Sequence, residues 1–172
     1  MIEKSVEKLL LYCEKNNFIG WDPYDGLNSK VFQLTPLKYS RTARLIWIQL
    51  FKRLPINLRK IMLIKKGYNP KGVALMIEGY CNLYQLSKIE DKSVNERKNI
   101  KKKIIFLSDK LLELRSKNFS GDCWGYNFDW QARKLFFFPK GTPTIVPTAF
   151  CVSALINSYK ITQNKKYLRS AI

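Results

Sequence analysis

A helical periodicity between Val94 and Lys117 sets the class of fold open to this chain. Ile100, Ile104, Leu107, Leu111 and Leu114 recur at steps of three and four, with Ile105 and Leu112 alongside. Side chains so spaced share one face of an α-helix, and that face must be buried against something. The same period recurs elsewhere. Ile2, Val6, Leu9, Leu10 and Cys13 predict a helix over 2–16, ended by Asn16-Asn17. Thr35-Pro36 opens a second that runs to Leu54, where Pro55 stops it for want of an N–H and through a clash with the preceding turn. A shorter helix is expected from Ile56 to Lys66, and Asn69-Pro70-Lys71-Gly72 introduces another over 72–87. From Pro147 to about residue 161 the pattern is apolar almost all round, so burial on most sides is expected. Tyr167, Leu168, Ala171 and Ile172 begin a last helix that lasts about two turns. The expected fold class is all-α, assembled from helical hairpins.

Between two of these helices lies a stretch unlike the rest, Ser120 to Pro147. Helix–helix connections usually take about 2–8 residues. This one is far longer and holds two tryptophans, one tyrosine, four phenylalanines and two aspartates. Disordered segments are poor in aromatic residues, so an ordered loop with room for a short β-hairpin is expected. Gly20-Trp21-Asp22-Pro23-Tyr24-Asp25-Gly26 has the same aromatic and acidic character.

Composition narrows the chemistry. A length of 172 residues suits a single domain over 1–172 with a genuine core. No apolar run approaches a membrane span, and the N-terminus opens directly into an amphipathic pattern without a secretory signal, so a cytoplasmic location is expected. Cys13, Cys81, Cys123 and Cys151 are scattered and read as free thiols, with no metal site and no cofactor motif. Histidine is absent. That excludes Ser–His and Cys–His nucleophile pairs and imidazole acid–base chemistry, leaving Asp, Glu, Lys or Tyr for any proton transfer. The formal net charge of +18 attracts anions in general, including acidic polysaccharide and anionic membrane. Its densest run, Arg97-Lys98 with Lys101-Lys102-Lys103, lies on one helix and reads as a solvated face, which ranks nucleic acid behind the other partners.

Helices 72–87 and 147–161 echo each other. Ala74, Leu75, Ile77, Gly79, Asn82 and Tyr84 match Ala149, Phe150, Val152, Ala154, Asn157 and Tyr159 at a constant offset of 75. A repeated helical hairpin needs neighbours to bury its remaining faces. If outer and inner helices alternate, with 56–66 counted as outer, the connections 17–34, 67–71 and 118–146 emerge on one rim. Both aromatic loops would then converge on one mouth of a helical barrel.

That alternation, the Trp-Asp-Pro-Tyr-Asp-Gly loop at 21–26, Gly-Tyr-Asn-Pro-Lys-Gly at 67–72 and Cys-Trp-Gly-Tyr-Asn-Phe-Asp-Trp at 123–130 resemble alpha/alpha-toroid proteins. More narrowly, they resemble an uncharacterised bacterial and archaeal group related to six-hairpin glycosidases, polysaccharide lyases and terpenoid-cyclase-like toroids. The resemblance implies a role in surface-polysaccharide biosynthesis and brings no catalytic residue with it. A toroid has roughly twelve helices where this chain has about half, so it implies an N-terminal half completed by a C-terminal half or a second chain.

Aromatic rings offer flat faces to the C–H faces of sugars, and carboxylates and amides bond their hydroxyls. Trp21, Tyr24, Tyr68, Asn69, Trp124, Tyr126, Asn127, Trp130 and Lys140 are the candidate substrate-binding residues. Glycoside hydrolysis needs two carboxyls about 5–5.5 Å apart for retention or 6.5–9.5 Å for inversion. Asp22 or Asp25 against Asp122 or Asp129 is the candidate catalytic pairing. Lyase chemistry would need a base, for which Tyr126, Tyr68 and Lys140 are available. The structural reading of the same residues is that aromatics pack the loops down and aspartates cap turns. The expected function is binding or processing of an anionic glycan. A non-catalytic scaffold for polysaccharide assembly is the alternative, and basic nucleic-acid binding the third.

Overall fold

Helices dominate the computed structural model, which describes residues 2–134 and 136–172. Among these residues the α-helices are α1 (Ile2–Lys15), α2 (Lys30–Gln33), α3 (Arg41–Arg53), α4 (Pro70–Ile89), α5 (Val94–Glu113), α6 (Ile145–Thr162) and α7 (Lys165–Arg169). The aromatic loop contains the one short hairpin, β1 (Trp130–Gln131) paired antiparallel with β2 (Phe137–Phe138) in the register Trp130 to Phe138. The fold class is therefore all-α with a small β-hairpin. No helix of the described residues is long and apolar enough to cross a membrane. The chain divides into two compact units, Met1–Asn69 with Asn127–Lys140 and Pro70–Tyr126 with Gly141–Ile172.

The second unit is a three-helix bundle in which α4, α5 and α6 each pack on the other two, and α7 folds back on α6. Each helix buries the same i, i+3, i+4 stripe: Ile77-Tyr80-Cys81, Ile104-Leu107-Ser108 and Cys151-Ala154-Leu155. A capping box starts α5, where Ser93 Oγ accepts from Glu96 N and the Glu96 carboxylate accepts from Ser93 N. Gln163, at φ 59°, ends α6 in the left-handed region and donates its N–H to the Tyr159 carbonyl. Tyr167 docks α7 on α5, its hydroxyl 2.6 Å from Asp109 Oδ1.

The echo between α4 and α6 is real in packing but slips in sequence. Buried Val73, Ile77, Tyr80, Cys81 and Ser87 correspond to buried Pro147, Cys151, Ala154, Leu155 and Ile161 at an offset of 74, not 75. A slip of one residue turns a helix face by about 100°. Ala74 is accordingly buried while Ala149 is exposed. The identical letters are not structural equivalents. Nor is α6 buried on most sides: Ile145, Val146 and Phe150 are exposed, because a single stripe suffices to pack on α4 and α5.

Trp124 joins this core. It is fully buried, and its indole N–H donates to the Leu111 carbonyl at 2.8 Å in the last turn of α5, an acceptor it shares with the Leu114 N–H. Beside it Gly125 bridges to Pro143, and a Cβ on Gly125 would sit 2.2 Å from the Thr142 carbonyl oxygen. Only glycine allows that approach.

The first unit packs around Leu27, Phe32 and Ile48, flanked by Tyr24, Trp47 and Trp130. Trp47 stacks on Phe32 at 4.9 Å and donates its indole N–H to the Gly26 carbonyl at 3.0 Å. Thr35-Pro36 opens only a 3₁₀ turn, Pro36–Tyr39, and α3 starts afresh with Ser40 as its cap.

The expected helix over 56–66 does not form. Asn57 Oδ1 takes the Arg59 N–H, Ser29 Oγ donates to the Met62 carbonyl, and Trp21 Nε1 donates to the Ile64 carbonyl. Leu63 stands at φ 54°. Partners distant in sequence thus take groups that a helical ladder would need. Without this helix, the alternation that made α3 and α4 successive inner helices loses its outer member.

Cys81 and Cys151 are buried, and burial pushes each thiol up to about 12. Cys13 and Cys123 are only half-buried. A chromogenic disulfide reagent at neutral pH should therefore modify two thiols in the native protein and all four in guanidinium. Equal native reactivity of all four would contradict this packing.

Candidate functional site

The loop at 20–26 is built around its two carboxylates. Asp22 Oδ1 accepts from Tyr24 N at 2.9 Å, closing an Asx-turn, and Asp22 Oδ2 accepts from Asn69 Nδ2 at 2.8 Å. Asp25 Oδ2 accepts from Asp22 N at 3.0 Å, and its Oδ1 lies 2.8 Å from Arg59 Nε. The same guanidinium donates to the Asp22 carbonyl at 3.0 Å. Asp25 is 4% exposed. Burial pushes its carboxyl above the usual range, against the downward pull of Arg59. Every oxygen of Asp22 and Asp25 already has a donor, so this pair caps and staples the loop.

The aromatic faces of the loop are taken as well. Trp21 carries the Lys66 ammonium 5.0 Å above its ring, and Tyr24 carries that of Lys52 at 4.7 Å, with the Tyr24 hydroxyl accepting from the same amine at 2.7 Å. Asn69 is tied to Asp22, and Tyr68 is half-buried.

Part of the second aromatic stretch folds into this unit. Asn28 reaches it twice, donating from Nδ2 to the Asn127 carbonyl at 3.0 Å and accepting at Oδ1 from Asp129 N at 3.4 Å. Asp129 Oδ1 accepts from Lys140 N at 2.7 Å, and its Oδ2 meets Gln33 Nε2 at 3.5 Å. Trp130 stacks on Phe138 at 5.4 Å and flanks the Leu27 core.

The remaining candidates belong to the other unit. Asp122 is bonded by Arg115 at 2.7 Å and by the Ser170 hydroxyl. Partial burial would raise its carboxyl, but Ser170 and Arg115 outweigh that and hold it below the usual range. Trp124 is core and offers no ring face to a ligand. Tyr126 is half-buried, its carbonyl accepting from Gly141 N at 2.8 Å. Of the thirteen sequence candidates the first unit gathers ten, and it uses the carboxylates among them as structural acceptors.

What sequence reasoning missed is the pocket next to that network. About 360 Å³ in volume, it is lined by Asn28, Lys30, Leu63, Lys65, Lys66, Gly67, Asn127 and Lys140. Four lysines line it and no acidic residue does. Lys66 is held by Asn16 Oδ1 at 2.9 Å, whereas Lys30, Lys65 and Lys140 have no partner for their ammonium groups among the described residues. Asn127 Oδ1 is enclosed and accepts no hydrogen bond. Gly67 leaves room for that amide, since a Cβ there would lie 3.1 Å from Asn127 Nδ2. One signal in the sequence pointed here: no Asp or Glu occurs between Asp25 and Glu78, or after Asp129.

A larger groove, about 480 Å³, runs along α3 past Leu45, Ile46, Leu50 and Leu54, but Gln49 and Arg53 are its only polar members. Among the described residues no cluster of three or more Cys, Asp or Glu is placed to hold a metal ion. Compared with protein-family models, curated proteins and solved structures, the chain gives no match.

Replacing Arg59 with Met should destabilise the protein by about 3–5 kcal/mol, because it leaves the Asp25 carboxylate buried without its cation. The fold would then bind a proton at Asp25 more tightly than the unfolded chain does. The deficit should therefore grow as pH rises from about 4 to 7, since stability falls wherever the native state holds more protons. Urea unfolding across that range checks both the size and the sign.

Proposed function

We propose that this protein binds an anionic glycan in the lysine pocket of its first unit and holds it without cleaving it. The observation carrying this reading is a pocket lined by four lysines and two asparagines with no acidic residue, three of the lysines having no partner for their ammonium groups among the described residues. Carboxylate, sulfate or phosphate groups on a sugar would meet Lys30, Lys65 and Lys140. The pocket supports the charged part of this proposal, and the sugar part rests on the toroid resemblance.

The state of the aspartates favours binding over processing. A glycosidase needs one carboxyl to protonate the leaving oxygen and a second to act as base or nucleophile. Asp25 has the raised carboxyl such chemistry calls for, yet it is buried and bonded at both oxygens. Asp22 and Asp129 are bonded at both oxygens too. These contacts favour a non-catalytic role, and the setting in surface-polysaccharide assembly rests on the toroid resemblance alone.

Calorimetry with an oligogalacturonate and a neutral oligosaccharide of matched length tests the proposal. The uronate should bind and the neutral sugar should not. Lys65→Glu with Lys140→Glu should weaken uronate binding at least about tenfold, and chromatography should show no shortened product. Equal binding of the neutral sugar, indifference to the charge reversals, or turnover would each overturn it.

A further inference from the structure

We infer that the first unit carries a membrane-docking surface for anionic lipid, formed by residues 34–39, which include the Pro36–Tyr39 turn, and by the described residues of the β1–β2 hairpin. Two arginines lock these segments together. Arg44 donates from Nη1 to the Lys38 carbonyl at 2.6 Å and from Nε to Gln131 Oε1 at 2.8 Å, and its guanidinium lies 4.7 Å over the Phe137 ring. Arg41 donates to the Arg133 carbonyl. The hairpin tip closes with Ala132 N donating to the Phe136 carbonyl at 2.8 Å.

Apolar groups on these segments stay largely exposed even where a ring has a neighbour, as Phe136 has Phe138 and Phe137 has Arg44. Leu34 is 89% exposed, Tyr39 78% and Phe136 66%, with Leu37 and Phe137 also exposed. Single exposed apolar residues are ordinary. Several of them on two segments held together, rimmed by Lys38, Arg41, Arg133 and Lys134, form an amphipathic patch.

Charge decides what such a patch fits. No carboxylate occurs in residues 26–69 or 130–140, which include all of these positions. An acidic headgroup layer matches the basic rim, and the acyl boundary beneath it accepts Leu34 and Phe136. A polynucleotide would match the rim but leave Leu34 and Leu37 in water. The lysine pocket belongs to the same unit but uses different side chains, so docking and glycan binding can fail separately.

Vesicle co-sedimentation provides the test, with phosphatidylcholine alone and with about one-third phosphatidylglycerol. The protein should sediment with the anionic vesicles at least about tenfold more strongly than with the neutral ones. Leu34→Ser with Phe136→Ser should lower anionic-vesicle binding at least about tenfold. The same pair should leave heparin affinity and melting temperature unchanged. Failure to bind phosphatidylglycerol vesicles overturns the inference. So does a serine variant that sediments like the wild type, because attraction would then be charge alone. A parallel loss of heparin affinity would assign the two residues to general anion binding and would overturn it as well.

Discussion

One buried ion pair organises the first unit. Asp25 and Arg59 meet at 2.8 Å with little solvent access, and through them a loop rich in glycine and proline is fastened to the irregular chain after Pro55. Removing two charges from water costs several kcal/mol each, and their attraction offsets that only where further hydrogen bonds complete the geometry. Here Asp22 supplies both, its N–H going to Asp25 and its carbonyl to Arg59. The fastening holds residues 59–67 as a series of turns in place of a continuous helix, and Trp21 and Ser29 satisfy the Ile64 and Met62 carbonyls. Lys65, Lys66 and Gly67 are then displayed along one wall of a pocket.

The division of labour in that unit follows from it. Its aspartates serve as acceptors within the fold, and much of its outward chemistry is cationic. An enzyme acting on sugars needs a carboxyl with a free oxygen and access to the reacting bond. Asp22, Asp25 and Asp129 are instead saturated by backbone and side-chain donors. Three lysines whose ammonium groups have no partner among the described residues are suited to holding a charged ligand in place.

Helices were legible wherever periodicity was sustained and local contacts decide the outcome. α1, α4, α5 and α6 lie within a few residues of their sequence expectations, since their stripes repeat over several turns. Residues 56–66 were misjudged because the bonds that hold them come from Ser29 and Trp21, more than thirty positions away. Trp124 and Trp21 share a residue type but not a role. The first closes the end of α5, and the second bears a lysine on its ring. Aromatic content announced ordered loops without saying which rings would be core. Most of the pocket went unread because Lys30, Lys65, Lys66 and Lys140 form no run, and only folding assembles them. Of its lining, Asn127 and Lys140 alone were anticipated.

Backbone and indole amide shifts during titration with an oligogalacturonate test the central claim most directly. The account predicts that the largest changes fall on Asn28, Lys65, Gly67 and Asn127, with the indole N–H signals of Trp21, Trp124 and Trp130 nearly still. Changes concentrated on the Trp21 and Trp130 indoles, with the lysine pocket unmoved, would contradict it.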